Sequence, residues 1–184
     1  ENAVTSLFYS PKSNLIAFQS DLQGDENFQL YLVSDTGGET EYITPSHIGS
    51  QVQFCSWDKK GTKILFSSNK RDKRFFDTYI YDLESKTEEC IYECNDINPM
   101  VAVAWSRDEK YILYQKFYNN SDQDVLLYDL AGKTITNVSE HKGSMKNLGG
   151  LFNKKCDTIY FLSDYEREFE GLAYYKIKTG ESGW

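Results

Sequence analysis

The chain has 184 residues, 40% of them hydrophobic and 15% aromatic, with 20 basic against 28 acidic side chains for a net charge of −8. That length can bury one substantial core, and the acidic balance speaks against nucleic-acid binding, which needs a positive field facing the phosphates. No run approaches the ~18 apolar residues of a membrane-spanning helix, and residues 1–9 lack the basic start of a signal peptide.

No stretch holds an apolar face at i, i+3, i+4, i+7 for three turns, so strands are expected throughout. The first falls at 4–9, followed by the turn Ser10-Pro-Lys-Ser-Asn14 and a second strand at 15–20. The charged loop 21–27 leads to a third strand at 29–33, the turn Asp35-Thr-Gly-Gly38 and a fourth strand at 41–44. The glycine pair supplies the positive φ of a short hairpin, and Pro11 presets a turn. The same order then returns three times. Its turns are Asp58-Lys-Lys-Gly61 and Glu84-Ser-Lys86, then Arg107-Asp-Glu-Lys110 and Ala131-Gly-Lys133, then Asn153-Lys-Lys-Cys-Asp157 and Lys178-Thr-Gly180.

Aromatic markers keep step with this order. Tyr9, Trp57, Trp105 and Phe152 end the first strands, and Phe18, Phe66, Tyr114 and Phe161 sit in the second, both at steps of 48, 48 and 47. A period in that range predicts an all-β chain of radially repeated four-stranded antiparallel sheets, the blades of a β-propeller. The blades run over about 1–46, 47–94, 95–141 and 142–184, the last lacking its outer strand. The few residues ahead of the first strand are too short for a spare one. The expectation is an open arc of about four blades from a larger propeller, its terminal faces covered by other copies or partly disordered.

Catalytic motifs are missing from the sequence. There is no G-x-S-x-G elbow, and Gly143-Ser144 lacks both its spacing and its helix. His47 and His141 are 94 residues apart, both between a fourth strand and the next first strand, which favours a shared turn role over catalysis. The first strands carry no Asp or Glu, against the paired acids of a glycosidase. Asp21, Gly24, Asp25 and Glu26 depart from the calcium-loop spacing. Cys55, Cys90, Cys94 and Cys156 follow neither a disulfide framework nor a zinc pattern, so reduced thiols and a reducing compartment are expected. No catalytic residue, cofactor or metal site is assigned.

The loops between second and third strands share one face and carry the charge. The basic run Lys70, Arg71, Lys73, Arg74 lies between neighbours bearing Asp21, Asp25 and Glu26 on one side and Asp122 and Asp124 on the other, with Glu166 and Glu168 in the fourth blade. Two readings stay open: a solvated rim tied by cross-blade ion pairs, or a docking rim for another domain or protein.

The repeat Tyr9-Ser-Pro-Lys-Ser-Asn-Leu-Ile-Ala-Phe-Gln-Ser20, with Gln29-Leu-Tyr-Leu-Val33 and Gly37-Gly-Glu39, resembles the TolB-like propeller repeat, a relative of the WD repeat. The fourth blade departs from it, with Phe152-Asn-Lys at the first turn. The stretches 20–31 and 67–79 are most similar to the N-terminal propeller of prolyl oligopeptidase-family serine peptidases, the acylaminoacyl-peptidase and dipeptidyl-aminopeptidase-like branch. That resemblance implies a non-catalytic, cytoplasmic propeller, partnered by an α/β-hydrolase domain of the same polypeptide and filtering peptide substrates by size. The family's Ser, Asp and His have no matching positions here. The alternative is a TolB-like interaction scaffold that binds a protein partner in the periplasm. Neither reading involves nucleic acid or a membrane.

Overall fold

A computed structural model describes residues 2–184. Among them the chain forms four antiparallel four-stranded sheets, each ordered along the sequence. The first contains β1 (Val4–Tyr9), β2 (Leu15–Ser20), β3 (Gln29–Ser34) and β4 (Glu41–Tyr42). The second contains β5 (Val52–Trp57), β6 (Lys63–Asp72), β7 (Phe75–Asp82) and β8 (Thr87–Tyr92). The third contains β9 (Met100–Trp105), β10 (Tyr111–Asn119), β11 (Asp122–Asp129) and β12 (Thr134–Asn137). The fourth contains β13 (Asn147–Phe152), β14 (Thr158–Ser163), β15 (Gly171–Lys176) and β16 (Ser182–Gly183). Two compact units result, Glu1–Asn95 and Asp96–Trp184, each holding two sheets.

The fourth sheet therefore has the outer strand that periodicity leaves out. Ser182 pairs with Tyr175 and Gly183 with Tyr174. Two residues are too few to show an alternating pattern, which is why the repeat alone missed them.

The turns between first and second strands share one device. A short polar side chain at the repeat positions Ser10, Asp58, Ser106 and Asn153 accepts backbone N–H groups of its own turn. Asp58 takes Thr62 and Lys63 at 2.7 and 2.8 Å, Ser106 takes Tyr111 at 2.9 Å, and Asn153 takes Asp157 at 3.1 Å. This is the Asx and Ser turn chemistry that makes these residues turn formers. Gly61 adds a packing reason of its own: at φ +69° a Cβ there would run into the Ser10 hydroxyl.

In the first unit, Ala17, Leu30, Leu32 and Ile43 of sheet one pack against Val52, Ile64, Phe66 and Tyr79 of sheet two. Phe8 stacks on Phe54 at 3.8 Å between centroids, and the Trp57 indole donates to the Phe8 carbonyl at 3.0 Å. The second unit repeats the arrangement, with Leu113, Val125 and Leu127 against Ile159, Phe161 and Ala173. The Gln19 amide donates to the Val52 carbonyl, and Gln115 to the Asn147 carbonyl, each at 2.7 Å. These amides satisfy buried carbonyls at each join of two sheets, where an unpaired group would cost about 1–3 kcal/mol.

Phe66 is wholly buried at such a join while Leu7 is 70% exposed. Phe66→Ala is expected to lower unfolding free energy by about 3–5 kcal/mol, and Leu7→Ala by no more than about 0.5 kcal/mol. Urea unfolding midpoints check this; comparable losses at the two positions would contradict the packing scheme.

Candidate docking surface

The charged segments of blades two and three are strands, a correction to the loops expected between their second and third strands. Pairing between β6 and β7 resumes at Asp72 and Phe75, and that between β10 and β11 reaches Asn119 and Asp122. Each hairpin turns in two residues because a side chain holds the turn: Asp72 accepts the Arg74 N–H at 3.0 Å and Asn119 the Ser121 N–H at 2.8 Å. Charge density reads as loop in a sequence, yet here it lies on ladder positions. The segments in blades one and four stay irregular.

Three of the four basic side chains are neutralised inside their own sheet. Lys70 pairs with Glu88 at 2.5 Å. Arg71 forks onto the fully buried Asp77 at 2.7 and 2.8 Å and also donates to the Cys94 carbonyl at 2.6 Å. The Asp77 carboxylate raises the Arg71 guanidinium above its ordinary value. Arg74 pairs with Asp72 at 2.7 Å, while Lys73 donates to the Gly49 carbonyl. The ion pairs that Lys70, Arg71 and Arg74 make are therefore within blade two, not across to the acidic neighbours.

Two acids leave the rim altogether. Asp21 is buried and accepts the Ala3 N–H at 2.5 Å. Asp124 is buried and accepts the Ser139 hydroxyl at 3.0 Å, the Asn137 amide at 2.8 Å and the Tyr118 hydroxyl at 3.1 Å. Asp25 closes its own loop through the N–H groups of Asn27 and Leu22, which hold its carboxyl below the ordinary value. Glu26, Glu166 and Glu168 are exposed, and Asp122 lies beside His141. The charges that stay open are Asp25, Glu26, Lys73 and Arg74 in the first unit and, in the second, Glu166 and Glu168.

The two histidines do not share a role, a second correction. His47 ends the 3-10 turn Pro45–His47 and is completely buried, edge-on to Phe66 and Tyr79 at 5.4 and 5.0 Å. Its Nδ1 meets the Ser68 hydroxyl at 2.7 Å and its Nε2 the Glu88 carboxylate at 2.8 Å. His141 instead lies 3.2 Å from Asp124 and 3.5 Å from Asp122, and neither ring nitrogen has a hydrogen-bond partner.

Ser68, His47 and Glu88 follow the bonding order of a hydrolytic triad, a grouping that sequence spacing did not suggest. The chemistry does not follow. The serine sits on Nδ1 rather than Nε2, and Ser68 and His47 are both at 0% exposure, so no scissile carbonyl can reach the hydroxyl. The cluster is a polar plug. The four cysteines are free thiols, and burial pushes the Cys55 thiol up, away from nucleophilic reactivity. Among the described residues no group of three His, Cys, Asp or Glu side chains is placed to hold a metal ion.

Set beside known proteins, the chain is 35% identical over 83 residues to dipeptidyl aminopeptidase BIII of Pseudoxanthomonas mexicana, a match covering 45% of the chain and 12% of that relative. No family model matches. TolB of Acinetobacter baumannii superposes over 99% of the chain and 43% of its own length, with a TM-score of 0.67 at 17% identity. Each four-stranded sheet has the fold of a propeller blade. A puromycin-hydrolyzing peptidase of Mycobacterium tuberculosis matches over 98% of the chain and 28% of its own length, with a TM-score of 0.70 at 10% identity. At those identities the two structures speak for the fold. The chain spans about an eighth of the curated relative and less than half of TolB.

The plug makes stability depend on pH. Burial drives the His47 imidazole below its ordinary 6.5, only partly offset by Glu88. For Glu88, burial raises the carboxyl, but the bonds from Lys70 and His47 outweigh it and leave it below 4.5. Both folded forms resist protons that the unfolded chain accepts, so their stability is present at neutral pH. It is lost as pH falls through 6.5 for His47, then through 4.5 for Glu88. The unfolding midpoint should fall between about pH 7.5 and about pH 5.5, and His47→Gln should flatten that slope. A wild-type midpoint unchanged across the window would contradict the assignment.

Proposed function

We propose that the chain is a non-catalytic propeller segment that serves a serine peptidase as a substrate gate. It would cover the active site of an α/β-hydrolase domain in the same polypeptide, admitting peptides and excluding folded proteins. The observation that carries this reading is the 35% identity over 83 residues to a dipeptidyl aminopeptidase. The likeness in fold to a puromycin-hydrolyzing peptidase supports it, as does the sealed Ser68–His47–Glu88 cluster, which offers this chain no chemistry of its own. Free thiols fit a reducing, cytoplasmic setting.

A second reading, a TolB-like scaffold that docks a protein partner in the periplasm, draws on the superposition with TolB over 99% of the chain. In both readings the candidate contact residues are Asp25, Glu26, Lys73 and Arg74 of the first unit and Glu166 and Glu168 of the second.

The purified chain should turn over neither peptidyl amides nor esters. The polypeptide encoded by the whole gene should cleave short peptides and spare folded proteins. Peptidase activity that cuts a folded protein as readily as a short peptide would remove the gate. No peptidase activity, together with a protein partner whose binding weakens on charge reversal of the rim, would replace it with the scaffold.

A further inference from the structure

The connection from β4 to β5 is a strap held down by one buried side chain. Thr44 and Ser50 are both buried, and Gln29 of β3 fastens the two: it accepts the Thr44 hydroxyl at 3.2 Å and donates to the Ser50 carbonyl at 2.6 Å. Between these hinges Pro45, Ser46, Ile48 and Gly49 are exposed, and His47 alone is buried. Gly49, at φ +72° with open space around it, gives the second hinge a turn that other residues rarely adopt. On the solvent side Lys73 donates to the Gly49 carbonyl.

The strap closes the outer half of the join between sheets one and two with ionisable groups. Under it lie the Phe66 and Tyr79 rings. Ser68 and Lys70 reach the imidazole from β6, and Glu88 reaches it from β8. Glu88 also accepts the Ser46 hydroxyl at 2.9 Å, and Glu41 pairs with Lys86 at 2.6 Å. The inner half is closed by uncharged groups, the Phe8–Phe54 stack and the Trp57 indole on the Phe8 carbonyl. One half of the join answers to protons and the other does not.

The hydrogen bonds leave no place for a second proton on His47. A carboxylate only accepts, so Nε2 carries the proton facing Glu88, and Nδ1 accepts from the Ser68 hydroxyl. A proton on Nδ1 takes that acceptor from a serine at 0% exposure. It also makes the ring a cation, with Nε2 3.4 Å from the Lys70 ammonium, in a site closed to water. Tyr79, pushed up by burial, stays neutral. Glu88, held below 4.5 despite burial by its bonds to Lys70 and His47, stays charged. Gln29, which sheet one presents to the hinges, carries no charge.

We propose that residues 45–49 are a proton-operated strap: in mild acid His47 leaves its seat and the strap swings on Thr44 and Ser50, uncovering Phe66 and Tyr79 while the inner half of the join stays closed. The opening occurs within the folded chain, which separates it from a loss of stability spread over the whole fold. It holds whether the propeller gates a peptidase or docks a partner.

Native-state hydrogen exchange of the purified chain at about pH 7.5 and about pH 5.5, corrected for intrinsic rates, tests it. The strap reports through the His47 amide, bonded to the Thr44 carbonyl, and the Ser50 amide, bonded to the His47 carbonyl. Ile64 and Phe66, both fully buried, report opening of the whole fold, and the Trp57 indole N–H reports the inner half. Strap protection should lie about tenfold or more below that of Ile64 and Phe66 at both pH values. It should fall severalfold, up to about tenfold, between them, the limit set by an open-form histidine at its ordinary 6.5. Amides that need whole-fold opening fall with it, so the gap persists, and the Trp57 indole stays with those amides. His47→Gln should remove the pH dependence at the strap; the wild-type readings decide by themselves if that variant fails to fold. Equal protection of strap and core, strap protection independent of pH in the wild type, an indole that exchanges with the strap, or pH dependence kept in His47→Gln would overturn the proposal.

Discussion

A four-stranded sheet whose side chains alternate between two faces has to cover both, and each unit meets that demand by laying one sheet on the next. Phe66 and Tyr79 are covered by Ala17, Leu30 and Leu32; Phe161 and Ala173 are covered by Leu113, Val125 and Leu127. The residues doing this recur at the repeat period because each join presents the same face to the same opposite face. Where no second sheet lies, large apolar groups stand open: Leu7 on blade one, and Leu151 and Leu172 on blade four. Burial of about 25 cal/mol per Å² makes these joins the dominant favourable contribution to each unit.

A second repeating feature is polar and works at the exit of the outer strand. Gln29, Asp77 and Asp124 occupy equivalent positions on the third strands, and each is buried. Gln29 donates to the Ser50 carbonyl and accepts the Thr44 hydroxyl; Asp77 accepts the Cys94 N–H; Asp124 accepts the Ser139 hydroxyl. Every one of them fastens the chain as it leaves one blade for the next. A buried carboxylate is costly unless its lone pairs are used, and here they are. These anchors fix the connections on which His47 and His141 ride.

The repeat, most of the strands, the turns between first and second strands and the four-stranded sheets were legible in the sequence, because alternation and turn chemistry are local; the two-residue β16 and the charged ends of β6, β7, β10 and β11 were not. Ser10, Asp58, Ser106 and Asn153 announce their turns by residue type alone. What was not legible depends on partners distant in sequence. Asp21 and Asp124 look like rim acids until the Ala3 amide and the Ser139 hydroxyl are seen filling them. The run from Lys70 to Arg74 looks like an exposed basic patch until Glu88 and Asp77 are found within reach. A usable signal existed in the hairpins: Asp72 and Asn119 each stand two residues before the close of a tight turn, the side-chain geometry that lets a ladder continue through charge. The Ser68–His47–Glu88 cluster had none, since the serine lies 21 residues and the glutamate 41 from the histidine.

The claim that orders the rest is that charge-rich segments of blades two and three belong to the folded sheets, while those of blades one and four are irregular and exposed. Native-state hydrogen exchange of backbone amides, resolved by residue, tests it directly. The account predicts strong protection extending from the middle strands through Ser67, Ser68 and Thr78 and on toward the β6–β7 hairpin tip, with rapid exchange at Gly24, Glu26, Glu166, Glu168 and Phe169. Exchange as fast over 67–78 as at Gly24 and Glu26 would contradict it, returning the basic run to a mobile loop and the docking rim to its full sequence-expected extent.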